Sequence, residues 1–235
     1  MKVTIATVDG VCDSYTFSPA GPGPYPAVLF YMDGPGIRPA LFEMAERFAK
    51  SGYYVLLPNL HYRQGEIAPV DMAAFAQNPA ERERVMALVK AIDNLKVMRD
   101  TEAYLAFLDA QPKVRAREVR CVGYCMGGGL ALSAAGAFPD RVVAAASFHG
   151  GRLATDSPTS PHLVAQKAKG KLYVAVAELD QGFTAEERAK VVAALPNAIV
   201  ETYPGAKHGF AVTGHPVYDR EASERHWATV LKLFA

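Results

Sequence analysis

Apolar and polar residues alternate along residues 3–8 and again along 15–17, a period of two that predicts two strands. Asp9-Gly10 between them is a turn dipeptide, so the chain is expected to open with a β-hairpin. Gly21-Pro22-Gly23-Pro24 is rich in turn formers, but an apolar strand over 27–31 follows at once, so it reads as a tight loop. From there strand and helix patterns alternate. A helix is predicted over 39–50, with Pro39 suited to its first turn, and a strand over 53–57, ended by Pro58. A loop-rich stretch leads to Asn78-Pro79-Ala80-Glu81, which has a cap, a proline and an acidic residue in the places a helix start favours. Val85, Val89, Ile92 and Leu95 continue it at helical spacing. Tyr104, Leu105 and Leu108 carry a second helical pattern to Ala110, with a break expected near Asp100. Further strands are predicted over 119–123, 142–148, 172–177 and 198–203. Helices are predicted over 126–137, behind Thr184 and Glu187, and over 216–234. Near-continuous apolar strands alternating with helices predict an α/β fold, a mostly parallel sheet with helices on both faces. No repeat, low-complexity tract or shift in composition divides the chain, which reads as one domain over 1–235.

Composition narrows the partners. Among 235 residues, 25 Lys and Arg balance 24 Asp and Glu, a formal charge of +1, so the clustered cations of a nucleic-acid or polybasic membrane binder are not expected. Half of the residues are apolar, which argues against disorder. Three cysteines are too few for a disulfide scaffold and fit a reducing compartment. The first residues read as a strand with no signal-peptide core, and no apolar run approaches the roughly 18–20 residues of a membrane helix. The expectation is a cytoplasmic protein, a monomer or weak homo-oligomer, with a small-molecule substrate.

The sharpest chemical feature is Gly123-Tyr124-Cys125-Met126-Gly127-Gly128, between a buried-type strand and a helix. A nucleophile on a strand-to-helix elbow needs a strained backbone with small residues two positions to either side, and Gly123 and Gly127 supply them. The elbow lifts the Cys125 sulfur above the sheet, at a helix N-terminus that favours a thiolate. The Met126 N–H then points where an oxyanion forms. Asp180 follows the strand over 172–177, and His208 follows the strand over 198–203, so both face the carboxyl edge that carries Cys125. Nucleophile, acid, base is the order of an α/β-hydrolase triad. Glu178 is a rival to Asp180 as the acid.

With these residues the chain resembles the dienelactone hydrolase family, a cysteine-using branch of the α/β hydrolases, over most of its length. Gly-Tyr-Cys-x-Gly-Gly at 123–128 is similar to the family's nucleophile motif. Pro58-Asn59-Leu60 looks like its strand ending in Pro-Asp-Leu, and Gly205-Ala206-Lys207-His208-Gly209-Phe210 like its histidine loop. A Tyr-containing segment ahead of the last helix also matches. The resemblance implies a sheet of about eight strands, hydrolysis of small esters or lactones through an acyl-enzyme, and no cofactor or metal. It implies a second oxyanion donor at the Gly34 N–H. It places Asp33 where the family has a glutamate that pairs with the resting thiol, a role to set against that of an ordinary turn residue. Family prototypes also clamp a substrate carboxylate with two arginines. One of those places holds Val212, and the other falls near Arg82 and Arg84, which could equally form a solvated helix face. A neutral or differently charged ester is therefore the expected substrate.

Other candidates are secondary. His149 follows a strand end and is expected to line the pocket or satisfy a loop. His61, Tyr62 and Arg63 follow another strand end, with Tyr62 a candidate for substrate contact. Tyr124 and Cys121 read as packing residues, and Cys12 has no evident partner. His208, His215 and His226 lack metal-ligand spacing, and Lys167, Lys169 and Lys171 read as a solvated lead-in. A broad carboxylesterase or thioesterase on the same triad, and a hydrolase-fold binding protein without turnover, remain alternatives.

Overall fold

The apolar runs assemble into one eight-stranded sheet in the computed structural model, which describes residues 1–235, the side chain of Ala116 excepted. Its strands are β1 (Lys2–Thr7), β2 (Gly10–Phe17), β3 (Tyr25–Tyr31), β4 (Tyr54–Pro58), β5 (Val114–Tyr124), β6 (Val142–Phe148), β7 (Lys171–Ala177) and β8 (Ile199–Tyr203). Their spatial order is β1-β2-β4-β3-β5-β6-β7-β8. β2 runs antiparallel to both neighbours, and every pairing from β4 to β8 is parallel. The ends of β3, β5, β6, β7 and β8 thus open on one edge, with β5 between β3 and β6.

The helices are α1 (Pro39–Lys50), α2 (Met72–Gln77), α3 (Pro79–Lys90), α4 (Asn94–Asp109), α5 (Met126–Ala137), α6 (Pro161–Val164), α7 (Ala185–Ala194) and α8 (Arg220–Phe234). Strand alternation sorts the long ones onto two faces. Phe30 meets Phe48 of α1, while the next residue, Tyr31, hydrogen-bonds Thr101 of α4. Tyr124 meets His226 of α8, while its predecessor Gly123 lies against the Gly127 carbonyl of α5. α1 and α8 therefore cover one face and α4 and α5 the other. Phe48, Trp227 and Phe234 knit α1 to α8, with ring centroids 4.7 and 6.0 Å from that of Phe48. Among the described residues no helix is long and apolar enough to cross a membrane.

Several boundaries move. The break in the long helical stretch lies at 91–93, ends in Asp93, whose carboxylate caps the Lys96 N–H, and is not near Asp100. Asp100 sits inside α4, buried, because Arg63 pairs with it at 2.7 Å. Leu95, assigned to the first apolar stripe, is exposed on α4. The last helix starts at Arg220, capped by Asp219, and α2 lies in the stretch expected to be loop.

Candidate active site

Cys125 is the hinge between β5 and α5, with left-handed φ of 55°. Its N–H donates to the Phe148 carbonyl at 3.2 Å and its carbonyl accepts the Gly128 N–H at 3.0 Å, so the strained residue is tied to both sides. The turn is tight enough that a Cβ on Gly123 would fall 1.8 Å from the Gly127 oxygen. One on Gly127 would fall 2.4 Å from the Tyr31 oxygen, so glycine is required by close backbone approach. Beneath the elbow, Tyr124 is buried and donates its hydroxyl to His226 Nε2 at 2.7 Å, while His226 Nδ1–H donates to the Ser223 carbonyl. Burial pushes the His226 pKa down to about 3, so this pair is a neutral core brace.

Asp180 and His208 meet above the neighbouring strands. His208 Nδ1–H donates to Asp180 Oδ2 at 2.6 Å, and Asp180 Oδ1 accepts the Gly182 N–H at 2.8 Å. Burial alone would lower the His208 pKa, but the Cys125 sulfur and the Asp180 carboxylate outweigh it and raise the value to about 10. Glu178, the rival acid, accepts the Gly205 N–H at 2.7 Å and so anchors the histidine loop from outside. The Leu179 N–H, bonded to the Ala206 carbonyl at 2.9 Å, ties the two loops together.

On the other flank, the turn after β3 carries a second buried carboxylate. Both Asp33 oxygens are taken by Arg38, at 2.5 and 2.6 Å, and Arg38 Nη1 also donates to the Gly36 carbonyl at 2.9 Å. Asp33 is thus committed to a bidentate ion pair. His61 Nε2–H donates to the Gly34 carbonyl at 3.0 Å, and burial lowers its pKa. This fixes the Gly34 peptide, which has no room for a side chain: a Cβ there would sit 2.7 Å from Val89 Cγ2.

The dienelactone hydrolase family model matches residues 12–235. The chain belongs to the dienelactone hydrolase family. A Synechocystis protein assigned as a carboxymethylenebutenolidase is 28% identical over 244 residues, covering 100% of this chain and 96% of the relative. One of Methylorubrum extorquens with the same assignment is 29% identical over 241 residues, covering 99% and 79%. A solved Klebsiella pneumoniae structure, assigned as a dienelactone hydrolase, superposes with a TM-score of 0.85 over 100% of this chain and 97% of that one at 21% identity. The dienelactone hydrolase of Anabaena variabilis gives 0.69 over 100% and 95% at 19%. At those identities the structures speak for the fold.

Within this member of the dienelactone hydrolase family, the secondary candidates fall in varied places. Tyr62 is turned away from Cys125: its hydroxyl bonds Thr7 at 2.7 Å and Asp100 at 3.0 Å, and Thr7 belongs to β1, four strands from β5. The hairpin at the sheet edge claims it. Arg84 is spent on Glu81 at 2.7 Å and on the carbonyls of Ala68 and Pro69, bracing the loop before α2. Arg82 is exposed on α3, which meets the Gly34 turn through Val85 and Val89 instead. His149 is not at the pocket surface. It is buried with φ of 39°, its ring 5.1 Å from that of His208 and both nitrogens without partners. Burial, followed by His208, His215 and His226, holds its pKa well below the ordinary value. Cys12, unassigned from sequence, lies buried 3.4 Å from the Tyr104 hydroxyl. Val212 is buried, as an apolar loop residue should be.

Three residues were given no place at the site by the sequence reading. Arg38 is one, although a cation five positions after Asp33 across Gly34-Pro35-Gly36 was a usable signal. His215 is the second. Its ring packs on Gly209, where a Cβ would be 2.6 Å away, and burial drives its pKa to about 4. Arg152, just past His149 and Gly151, is the third.

Proposed function

We propose that the chain hydrolyses small esters or lactones through a Cys125–His208–Asp180 triad and a thioester acyl-enzyme. The observation that carries this is the 2.6 Å His208–Asp180 bond, with His208 next to a cysteine held at φ 55° on a glycine-walled elbow. Asp180 accepts Nδ1–H, which leaves Nε2 to exchange a proton with the thiol. The sulfur attacks the carbonyl carbon and His208 takes the thiol proton. The resulting oxyanion is held by the Met126 N–H at the start of α5 and by the Gly34 N–H, in the turn that His61 braces through the following peptide's carbonyl. Collapse breaks the C–O bond, and the leaving oxygen takes the proton from His208. In a lactone that oxygen stays tethered to the acyl group. Water, deprotonated by His208, then attacks the thioester, and the thiolate leaves and is reprotonated. Asp33 serves as a brace for the turn through Arg38 and not as partner of the thiol. Cys125→Ala should abolish turnover of an activated ester such as 4-nitrophenyl butyrate, and mass spectrometry of the quenched wild-type protein should show an acyl adduct on Cys125. Unchanged turnover in the variant overturns the reading.

A further inference from the structure

Beside the elbow lies a cleft of about 240 Å³ that shares Met126 with the start of α5 and Gly151 with the approach to His208. A Cβ on Gly151 would lie 3.9 Å from His208 Cε1, so the cleft borders the His208 ring at Gly151 and the residue after Cys125 at Met126. That volume leaves room for a short substrate arm. Ile92 and Leu130 give it apolar wall, and Asn94 gives it a polar one. Asn94 Nδ2 is spent on Ser133 Oγ and the Thr159 carbonyl, while its Oδ1 is buried without a partner.

Arg152 stands at this cleft, and its surroundings differ from those of the chain's tied arginines. Arg38, Arg63 and Arg84 each hold a carboxylate at 2.7 Å or less. Arg152 has no carboxylate within ion-pair distance among the described residues, is exposed, and is held at φ 56° one residue beyond Gly151. The one acid on the cleft wall, Asp93, turns its Oδ1 to the Lys96 N–H. We propose that this cleft receives the non-reacting arm of the substrate and that Arg152 is a specificity-determining residue for an arm ending in a carboxylate. The placement differs from the α3 arginines considered from sequence: the charge is read on the α5 side of the nucleophile, by the loop after β6. A guanidinium offers two parallel N–H donors to a carboxylate, which makes it selective for that planar group.

The inference rests on the hydrolytic reading above, and the test separates the two. Rates are compared for 4-nitrophenyl glutarate against 4-nitrophenyl valerate, and for 4-carboxyphenyl butyrate against 4-methylphenyl butyrate, which puts the charge in the acyl or the leaving arm. In one pair the wild-type protein should favour the charged ester. Arg152→Gln should cut that ratio of kcat/KM by roughly ten- to hundredfold, the range of a hydrogen bond to a charged group. Arg152→Lys should retain part of it. A ratio untouched by Arg152→Gln, or one that collapses with Arg82→Gln instead, overturns the inference and leaves the triad standing. Turnover that survives Cys125→Ala overturns the triad. Calorimetry of glutarate binding to the Cys125→Ala protein, with and without Arg152→Gln, then still decides the cleft: equal binding in the two proteins refutes it.

Discussion

Two buried carboxylates stand on the same edge of the sheet as Cys125, and they are held in opposite ways. Asp33, after β3, is closed in a bidentate pair with Arg38, both side chains nearly out of solvent at 4% and 11% exposure. Asp180, after β7, is as deeply buried at 3%, but its partner His208 is one-third exposed and offers a single N–H. Arginine keeps its charge at any workable pH, whereas the His208 imidazole, even raised to about 10, can still give up its proton within that range. The first pair therefore suits a fixed brace and the second a proton relay. A carboxylate's role here follows from the cation it faces more than from its own burial.

Substitutions can pull the two apart. The largest effect expected is on rate: Asp180→Asn should lower kcat by about ten-thousandfold, because an amide in place of the carboxylate favours the wrong imidazole tautomer. A loss of less than tenfold in steady-state kinetics would put Asp180 in the same bracing class as Asp33. Next comes stability. Arg38→Met leaves Asp33 buried and uncompensated, which should cost about 3–5 kcal/mol in urea unfolding. The Asp33→Asn/Arg38→Met double variant should recover much of that, since no lone charge remains. A double variant as unstable as the single one would show that packing, and not charge, holds the turn. The smallest effect is in pH dependence. His208 is raised from its ordinary 6.5 to about 10, so the stability it contributes is complete below about pH 6.5 and disappears as pH rises through about 10. The Tm difference between wild type and His208→Gln should therefore narrow from pH 7 to pH 10.5. A constant difference would contradict the raised value.

The sequence was most readable where chemistry and geometry are local. Met126–Ala137 and Pro39–Lys50 were predicted to the residue, the first because a glycine run must follow the elbow and the second because proline marks its first turn. Cys125, Asp180 and His208 could be placed on one edge because strand ends are readable and parallel strands share an edge. Contacts between distant elements were not readable. Asp100 looked like a helix break because its partner Arg63 lies 37 residues away, and burying the pair lets α4 run on. Tyr62 was misassigned because nothing local tells that β2 inserts between β1 and β4 and brings Thr7 to its hydroxyl. His149 was placed correctly on the edge, but only the packing of Phe210 and His208 over it decides that it is buried.

At the elbow, the exclusion of any Cβ at Gly123 and Gly127 divides the motif into a frame and a replaceable part. Every atom that sets the turn belongs to the main chain, so the frame reads no information from the side chain at 125. Cysteine and serine, both unbranched at Cβ, meet similar strain at this positive φ. Sulfur or oxygen can therefore be mounted on this hinge at similar conformational cost, and the choice between them is left to reactivity.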